Sequence, residues 1–487
     1  SPASEQIREF YKEGRDFSRP VQFLDREGIP EVKEEREGLK IYQGHNREDF
    51  ASQIEKVDSP EARACFEKVC LICEKIKEAG GQAYLVGGVV RDEVLGVASK
   101  DFDLEVFGLT SEQVSELVSG LGKVREMGKS FGLTKVVDES GFEIDISFPK
   151  KEVESEDGGV EEVADLGINP AEAAKRRDFT VNALMKDPLT GEIFDHFSGV
   201  EDLRQRKLRV VDKKTFVKDP VRVMRAGQFV GRFGMQIEPE SLEFMKTLVP
   251  ELKGEAKERI LAEWNKMLTK SARPSAGMEA LQQLGVLKNI YPEISALQGV
   301  EQEFEWHPEG DAWVHTLLTL DSAANLCRSG LVPEESRGVL MWTMLCHDLG
   351  KPMMTVIQDN RVKSHGHEQA GEVPAKAILD RLGMDNISKE KIIALLKEHM
   401  WPNVAYQQEQ KSRETGEDVV KDGAFKKLAT RLHPANIFEL TLVAEADIMG
   451  RGPFLDPNDD TQFMLPKPFE AGEWVRRKAE EIGVYKE

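Results

Sequence analysis

The stretch GGVVRDEVLGVASKDFDLE (87–105) decides how the first part of this chain is read. It is entered from QAYLV (82–86), a short apolar run with the pattern of a strand. Two glycines follow, and glycine lets a phosphate come close to the backbone. VVRDEVLG then reads as one or two turns of helix stopped by Gly96. The free N–H groups and positive dipole end of such a helix suit an anion. DFDLEVFGL alternates, with Phe102, Leu104 and Val106 on one face and Asp101, Asp103 and Glu105 on the other, so it reads as a strand. Asp101 and Asp103 then point the same way, about 7 Å apart. Carboxylates so placed can share two divalent ions about 3.5–4 Å apart, an arrangement suited to phosphoryl transfer. Magnesium favours a few carboxylates together with substrate phosphates. Asp-x-Asp alone often does no more than solvate a strand. Behind GGxxRD it points to a site for a nucleoside triphosphate and metal.

Working outward, FEKVCLICEKIKEAGG (66–81) has the spacing of an amphipathic helix ending at glycine. SEQVSELVSGLG (111–122) reads as a second one with a serine cap. FGLTKVVDESGFEIDISFP (131–149) reads as a β-hairpin turning at Asp138–Gly141. It makes Asp145 a candidate third carboxylate, with an ion pair to Lys150 or Lys151 as the alternative. EVESEDGGVEEVADLG (152–167) has seven acids and no base, the composition of a mobile loop. After about residue 200 strand signals fade. TFVKDPVRVMRAGQFVGRF (215–233), ERILAEWNKMLT (258–269) and AGMEALQQLGVL (276–287) are helix-like, and 311 to about 450 is again mostly helical. Residues 1–60 are polar and weakly patterned, and no role is assigned to them.

With 487 residues the chain can hold roughly three domains. It has no apolar run of membrane-spanning length and no signal-peptide stretch at its start. The five cysteines include one CxxC, Cys70 and Cys73, which reads as the buried face of a helix rather than a zinc site. A reducing cytoplasm fits. The net charge of −21 opposes bulk attraction to nucleic acid. Residues 204–232 reverse that sign, with ten basic side chains against Asp212 and Asp219. Such a run is a solvated helix face or a surface for phosphates.

Seven of the nine histidines follow residue 300. DAWVHTLLTLD (311–321) carries His315, MLCHDLGKP (344–352) carries His347 and Asp348, and AEADIMGR (444–451) carries Asp447. GHEQAG adds His367 and LLKEHMWP adds His399. Imidazoles and carboxylates converging from helices suit a divalent metal. His365 reads as a solvent-facing neighbour. Lys351 is either a helix cap or a phosphate-side cation.

Taken together, GGVVRD…DFDLE resembles the head of class II tRNA nucleotidyltransferases and the related bacterial poly(A) polymerases. RRDFTVNAL (176–184) resembles their ribose-binding segment, and DPVRVMRAGQF (219–229) the segment that reads the incoming base. GEIFDHFSGVEDLRQRKLRVV (191–211) resembles the link between them. The resemblance implies Mg2+ on Asp101 and Asp103, with Gly87, Gly88 and Arg91 near the triphosphate. Arg177, Asp178 and Asn182 would contact sugar and phosphates. Asp219 and Arg222 would face the base, with Arg225 beside them. Many members have an acid before that Asp, where this chain has Lys218. HPEGDAWVHT (307–316) and LCHDLGKP resemble the HD phosphohydrolase domain. That implies a metal (Ni, Mn, Co or Mg) on His315, His347, Asp348 and Asp447, and a second one with His367 and His399.

The expected fold is α+β. A nucleotidyltransferase head with a mixed sheet and helices (61–200) precedes an all-α neck and body (201–300), an all-α HD domain (301–450) and a tail (451–487). The expected activity is untemplated addition of CCA to tRNA from CTP and ATP, with phosphatase or 2′,3′-cyclic phosphodiesterase action in the HD domain. The tRNA acceptor arm is the expected partner. The alternatives are an A-adding enzyme or poly(A) polymerase, and an HD hydrolase with a head that only binds nucleotide.

Overall fold

The computed structural model describes residues 29–486 except 37, 58–59, 98, 100, 128–132, 138–140, 142, 155–159, 416–419, 453, 457–458 and 465–468. The expected turn at Asp138–Gly141 therefore lies largely outside the described residues. The chain forms two compact units. One runs to Asp219 and includes Gln236–Ser241, and the other comprises Pro220–Met235 and everything from Leu242 on.

The first unit is built on a sheet. Its strands are β1 (Val32–Arg36) and β2 (Leu39–Gln43), then, after helices α1 (Arg47–Val57) and α2 (Pro60–Glu78), β3 (Gln82–Val86). Helix α3 (Gly88–Val94) leads to β4 (Phe102–Phe107), and α4 (Ser111–Val118) to β5 (Lys123–Met127), β6 (Leu133–Val137) and β7 (Glu143–Ser147). After β8 (Lys150–Glu154) and β9 (Val160–Ala164) come β10 (Met185–Lys186) and β11 (Glu192–Asp195). Nine strands pair in the order β1–β2–β11–β10–β3–β4–β7–β6–β5. The β6–β7 pair is antiparallel, as the hairpin reading expects, whereas β4 and β7 run parallel. Residues 29–57, given no role from sequence, supply two strands and a helix to this unit.

Two local expectations change. The acidic stretch is not simply a loop, because β8 and β9 pair as an antiparallel ribbon. The cap of α4 is Thr110 rather than serine, and it forms a reciprocal capping box with Gln113.

Helix α2 buries Ala62, Cys65, Phe66, Val69, Cys70, Ile72, Cys73 and Ile76, the three-and-four spacing of an apolar stripe. Phe66 meets Phe102 of β4 with ring centroids 5.8 Å apart. Each such fully buried apolar side chain contributes about 1.5–3 kcal/mol. The face of β3 that carries Val86 is covered by Phe107, Ala173, Ala174, Ala183 and Met185. The sheet is thus packed on both sides, which holds β3, β4 and β7 in register under the candidate site.

The second unit is mainly helical, but the region 301–450 is not all-α as expected, because Val356–Gln358 and Arg361–Lys363 pair as a short antiparallel ribbon. Beyond α5 (Gly199–Gln205, still in the first unit) its helices include α6 (Val221–Phe233), α7 (Lys257–Lys270) and α8 (Pro274–Gln283). They are followed by α9 (Ala312–Arg328), α10 (Glu334–Cys346), α11 (Asn386–Glu398) and α12 (Ile437–Met449). Trp264 of α7 packs against Tyr291 and Trp342, and Trp342 Nε1 donates to Asn265 Oδ1 at 2.7 Å. Among the described residues no helix is long and apolar enough to cross a membrane.

Candidate active sites

The head site forms where β3 passes directly into α3. Gly87 caps that helix at φ 73°, a conformation costly for a residue with a Cβ. A Cβ there would also lie 3.8 Å from Arg177 Nη1 and 3.9 Å from Asp103 Oδ2. The glycine turn, the guanidinium and the strand carboxylate therefore meet at one point. Asp101 is exposed just before β4, and Asp103 lies within it. Asp103 and Asp145 are register partners on neighbouring parallel strands, so their side chains share a face about 4.8 Å apart at the backbone. Asp145 is ion-paired, but to Lys135 of β6 at 3.1 Å, not to Lys150 or Lys151. Burial pushes the Asp103 carboxyl up to about 6; Arg177 opposes this, while Asp145 and Asp101 add to it. Carboxylates gathered so closely repel one another, and a divalent cation relieves that repulsion. The donor set fits such an ion.

Three of the remaining head residues, Arg91, Asn182 and Asp178, form one network. Arg91 Nη1 donates to Asn182 Oδ1 at 2.8 Å, and Asn182 Nδ2 donates to Asp178 Oδ1 at 2.9 Å. Asp178 is buried and also accepts from the Phe179 N–H at 2.7 Å, just ahead of the short turn Thr180–Asn182, whose N-cap is Phe179. Arg177 Nη2 donates to Glu105 Oε2 at 2.9 Å. Glu105 was read from sequence only as part of a polar face, although its parity with Asp101 and Asp103 marked it. Asp219 stands at the turn before α6, Arg222 in its first turn, and Arg225 pairs with Glu263 at 3.5 Å.

The second unit holds a buried cluster assembled from helix ends. His315 lies one turn into α9, whose N-cap is Asp311. His347 ends α10 and Asp348 follows it, His399 ends α11, and Asp447 lies in α12. His367 opens a one-turn helix, brought in because Gly350 leaves room: a Cβ there would stand 1.9 Å from the His367 carbonyl. His315 Nε2 lies 2.9 Å from Asp447 Oδ1 and 3.7 Å from Asp348 Oδ2. His347 Nε2 and His367 Nε2 are each 3.3 Å from Asp348 without forming a hydrogen bond to it. Asp348 is joined by Lys351 at 2.7 Å and Asp447 by Arg451 at 3.0 Å. His365 is exposed, as expected.

Orientation of the rings decides what the cluster can do. Nδ1 of His347, His367 and His399 each contacts the backbone carbonyl three residues earlier, at 2.7, 2.8 and 2.6 Å. A proton on Nδ1 leaves the Nε2 lone pair free, the tautomer that ligates metal. Burial pushes His399 down to about 3, so its ring is neutral. Burial would also lower His315, but the carboxylates of Asp447 and Glu309 outweigh it and bring it to about 8. Glu309, wholly buried, receives Nδ1 of both His307 (2.9 Å) and His315 (2.8 Å). His315–His347–Asp447 and Asp348–His367–His399 are each compact enough to surround one ion, so the residues fit the expected metal. Sequence reasoning missed Glu309, whose signal was its place in HPEGD, and Arg451.

Residues 83–209 match the model of the poly A polymerase head domain. Residues 234–297 match that of the probable RNA and SrmB-binding site of polymerase A. The multifunctional CCA protein of Xanthomonas campestris pv. campestris (strain B100) is 35% identical over 373 residues, covering 76% of this chain and 85% of that protein. The multifunctional CCA protein of Xanthomonas oryzae pv. oryzae matches with the same identity and coverage. Among solved structures, the Bacillus stearothermophilus CCA-adding enzyme in complex with CTP aligns with a TM-score of 0.56 at 22% identity, over 86% of this chain and 83% of that one. The Thermotoga maritima CCA-adding enzyme complexed with tRNA aligns at 0.53 and 18%, over 91% and 96%. Those two likenesses show the fold. Kinship with the Xanthomonas proteins makes the chain a nucleotidyltransferase, whose fold implies dependence on a divalent metal. The chain belongs to the family of multifunctional CCA proteins.

Proposed function

We propose that this chain adds C, C and A to tRNA 3′ ends from CTP and ATP without a template, in the cytoplasm. The observation that carries the reading is the meeting of Asp103, Asp145, Arg177 and the Gly87 turn at the end of β3. Asp101, Asp103 and Asp145 would hold Mg2+, which supplies charge neutralisation for phosphoryl transfer. The bare backbone at Gly87 and Gly88 and the first turn of α3 receive the triphosphate. Arg177 presents Nη1 to that turn while Glu105 anchors its other nitrogen. Arg91, Asn182 and Asp178 fix the wall of the site through their shared hydrogen bonds. Asp219 would accept from the exocyclic amino group that C and A share, and Arg222 would donate to ring acceptors. The test is incubation with Mg2+, labelled CTP or ATP, and tRNA transcripts ending before CCA, after CC and after CCA. Ordered addition that stops at CCA is expected. Addition of A alone would make it an A-adding enzyme, and a growing A tail a poly(A) polymerase.

The buried histidine cluster supports a second activity, phosphoester hydrolysis at 301–450. His315, His347, Asp348 and Asp447, with His367 and His399, would hold Ni, Mn, Co or Mg, which lowers the pKa of a bound water. Lys351 and Arg451 place two cations beside the carboxylates, where a phosphate could be received. Release of phosphate from a 3′-phosphorylated RNA, or opening of a 2′,3′-cyclic phosphate, is the expected result. Loss of that release in Asp348→Ala with nucleotide addition intact would separate the two sites, and its persistence would overturn the reading.

A further inference from the structure

Glu105 is part of neither the expected metal set nor the expected nucleotide contacts, yet it is 7% exposed. It lies on the strand face of Asp101 and Asp103, with Tyr84 and Ser147 opposite it on the flanking strands. Its partner is Arg177, through Nη2 at 2.9 Å. The other terminal nitrogen of that guanidinium faces the Gly87 turn, where one carbon position lies within 3.9 Å of both Nη1 and Asp103 Oδ2. Arg177 thus bonds Glu105, two residues beyond Asp103 along β4, while its Nη1 and Asp103 Oδ2 flank the same turn without pairing.

We propose that Glu105 is a positioning residue for nucleotide addition, holding Arg177 against the glycine turn and off Asp103. The reason is competition. An arginine freed from Glu105 can swing to Asp103, the carboxylate that flanks the same turn, and a guanidinium–carboxylate pair is strong and directional. That pair would take from Asp103 the lone pairs a cation needs, and from the turn the N–H groups a triphosphate needs. Glu105 therefore keeps two charges apart that would otherwise cancel. The inference rests on the assignment of Asp103 and Arg177 to the nucleotide site.

The test is a double-mutant cycle with Glu105→Gln, Arg177→Ala and the pair, in the full chain. Glutamine keeps the shape of the side chain and an acceptor, and removes the charge. Two readouts are taken: the dissociation constant for ATP in EDTA, and the Mg2+ concentration giving half-maximal AMP addition. Glu105→Gln is expected to weaken metal-free ATP binding about tenfold, the difference between a charged and a neutral hydrogen-bond partner. It is also expected to raise the Mg2+ requirement severalfold. Arg177→Ala should weaken ATP binding without raising the Mg2+ requirement. The double variant should match Arg177→Ala in both, because with the guanidinium gone Glu105 has nothing to position. If the Glu105→Gln effects persist in the Arg177→Ala background, Glu105 acts through its own charge and the proposal is wrong. An unchanged Mg2+ requirement in Glu105→Gln overturns it equally. If Arg177→Ala leaves ATP binding untouched, the site assignment itself falls and the inference with it.

Discussion

Asp103 sits where its own charge is disfavoured. Burial raises its carboxyl to about 6, with Asp145 and Asp101 adding to that and Arg177 and Lys135 opposing it. A carboxyl raised in the folded state binds protons between its ordinary value and about 6 that the unfolded chain does not. The metal-free head therefore loses stability from this group as pH rises through that window. Asp103→Asn is expected to lower nucleotide addition by roughly two to three orders of magnitude, the scale of losing one preorganised electrostatic group. In EDTA at neutral pH the same variant should unfold at a higher temperature than the parent. A lower melting temperature would mean that Asp103 supports the fold rather than strains it. The opposite case is Glu93 on α3. Burial would raise its carboxyl, but hydrogen bonds from His45 and the charge of Lys186, 2.7 Å away, outweigh it and hold it below the ordinary value. Its contribution is present above the usual glutamate range and lost as pH falls through the depressed value. Lys186→Met strands that carboxylate in the core and should cost about 3–5 kcal/mol in urea unfolding at pH 7. A loss under 1 kcal/mol would show the pair to be dispensable. Nothing local in ALMKDP marked Lys186 as buried, because its place is set by β10 lying between β3 and β11.

At the scale of elements, the histidine cluster is a junction. It takes one or more side chains from α9, α10, α11 and α12, and from the one-turn helix at His367. An ion held there binds only when all of these are docked, so it stabilises the folded unit by about 2.7 kcal/mol at one hundred times its dissociation constant. Adding Mn2+ or Ni2+ to the EDTA-treated protein should raise its melting temperature by several degrees, and Asp348→Asn should abolish most of that rise. Equal rises in parent and variant would place the ion elsewhere. The ligands were legible because each belongs to a short pattern at a helix end. Glu309 and Arg451 were not, because their roles depend on a loop and a helix terminus meeting in space. The same division runs through the sheet. β3, β4, β6 and β7 announce themselves by alternation and by their glycine boundaries. β1 is charge-rich, and β2 has only a short apolar centre whose register comes from β11, roughly 150 residues away in sequence. In β8 and β9 only Val153, Val160, Val163 and Ala164 interrupt the acids and lysines, and Glu152 pairs across from Glu162, so composition pointed to a loop.

For the whole molecule the question is how a protein of charge −21 takes hold of tRNA. Bulk potential repels the phosphates, so binding has to come from a local surface. The basic run 204–232 supplies it in sequence, but the fold neutralises part of the excess. Arg204 pairs with Glu201, Arg209 with Asp202, Lys213 with Glu240 and Arg225 with Glu263. Lys214 and Lys218 are exposed beside the start of α6. If these two meet phosphates, Lys214→Ala with Lys218→Ala should weaken tRNA binding severalfold near 0.1 M salt and flatten the dependence of log K on log salt by about two. Arg204→Ala should leave that slope unchanged, since an arginine already paired with Glu201 neutralises no phosphate and releases no counterion. Filter binding of a CCA-less transcript across a salt series measures both. A slope that stays the same in the lysine pair would move the contact surface away from this run and leave shape, rather than charge at 214 and 218, as the means by which the acceptor arm is held.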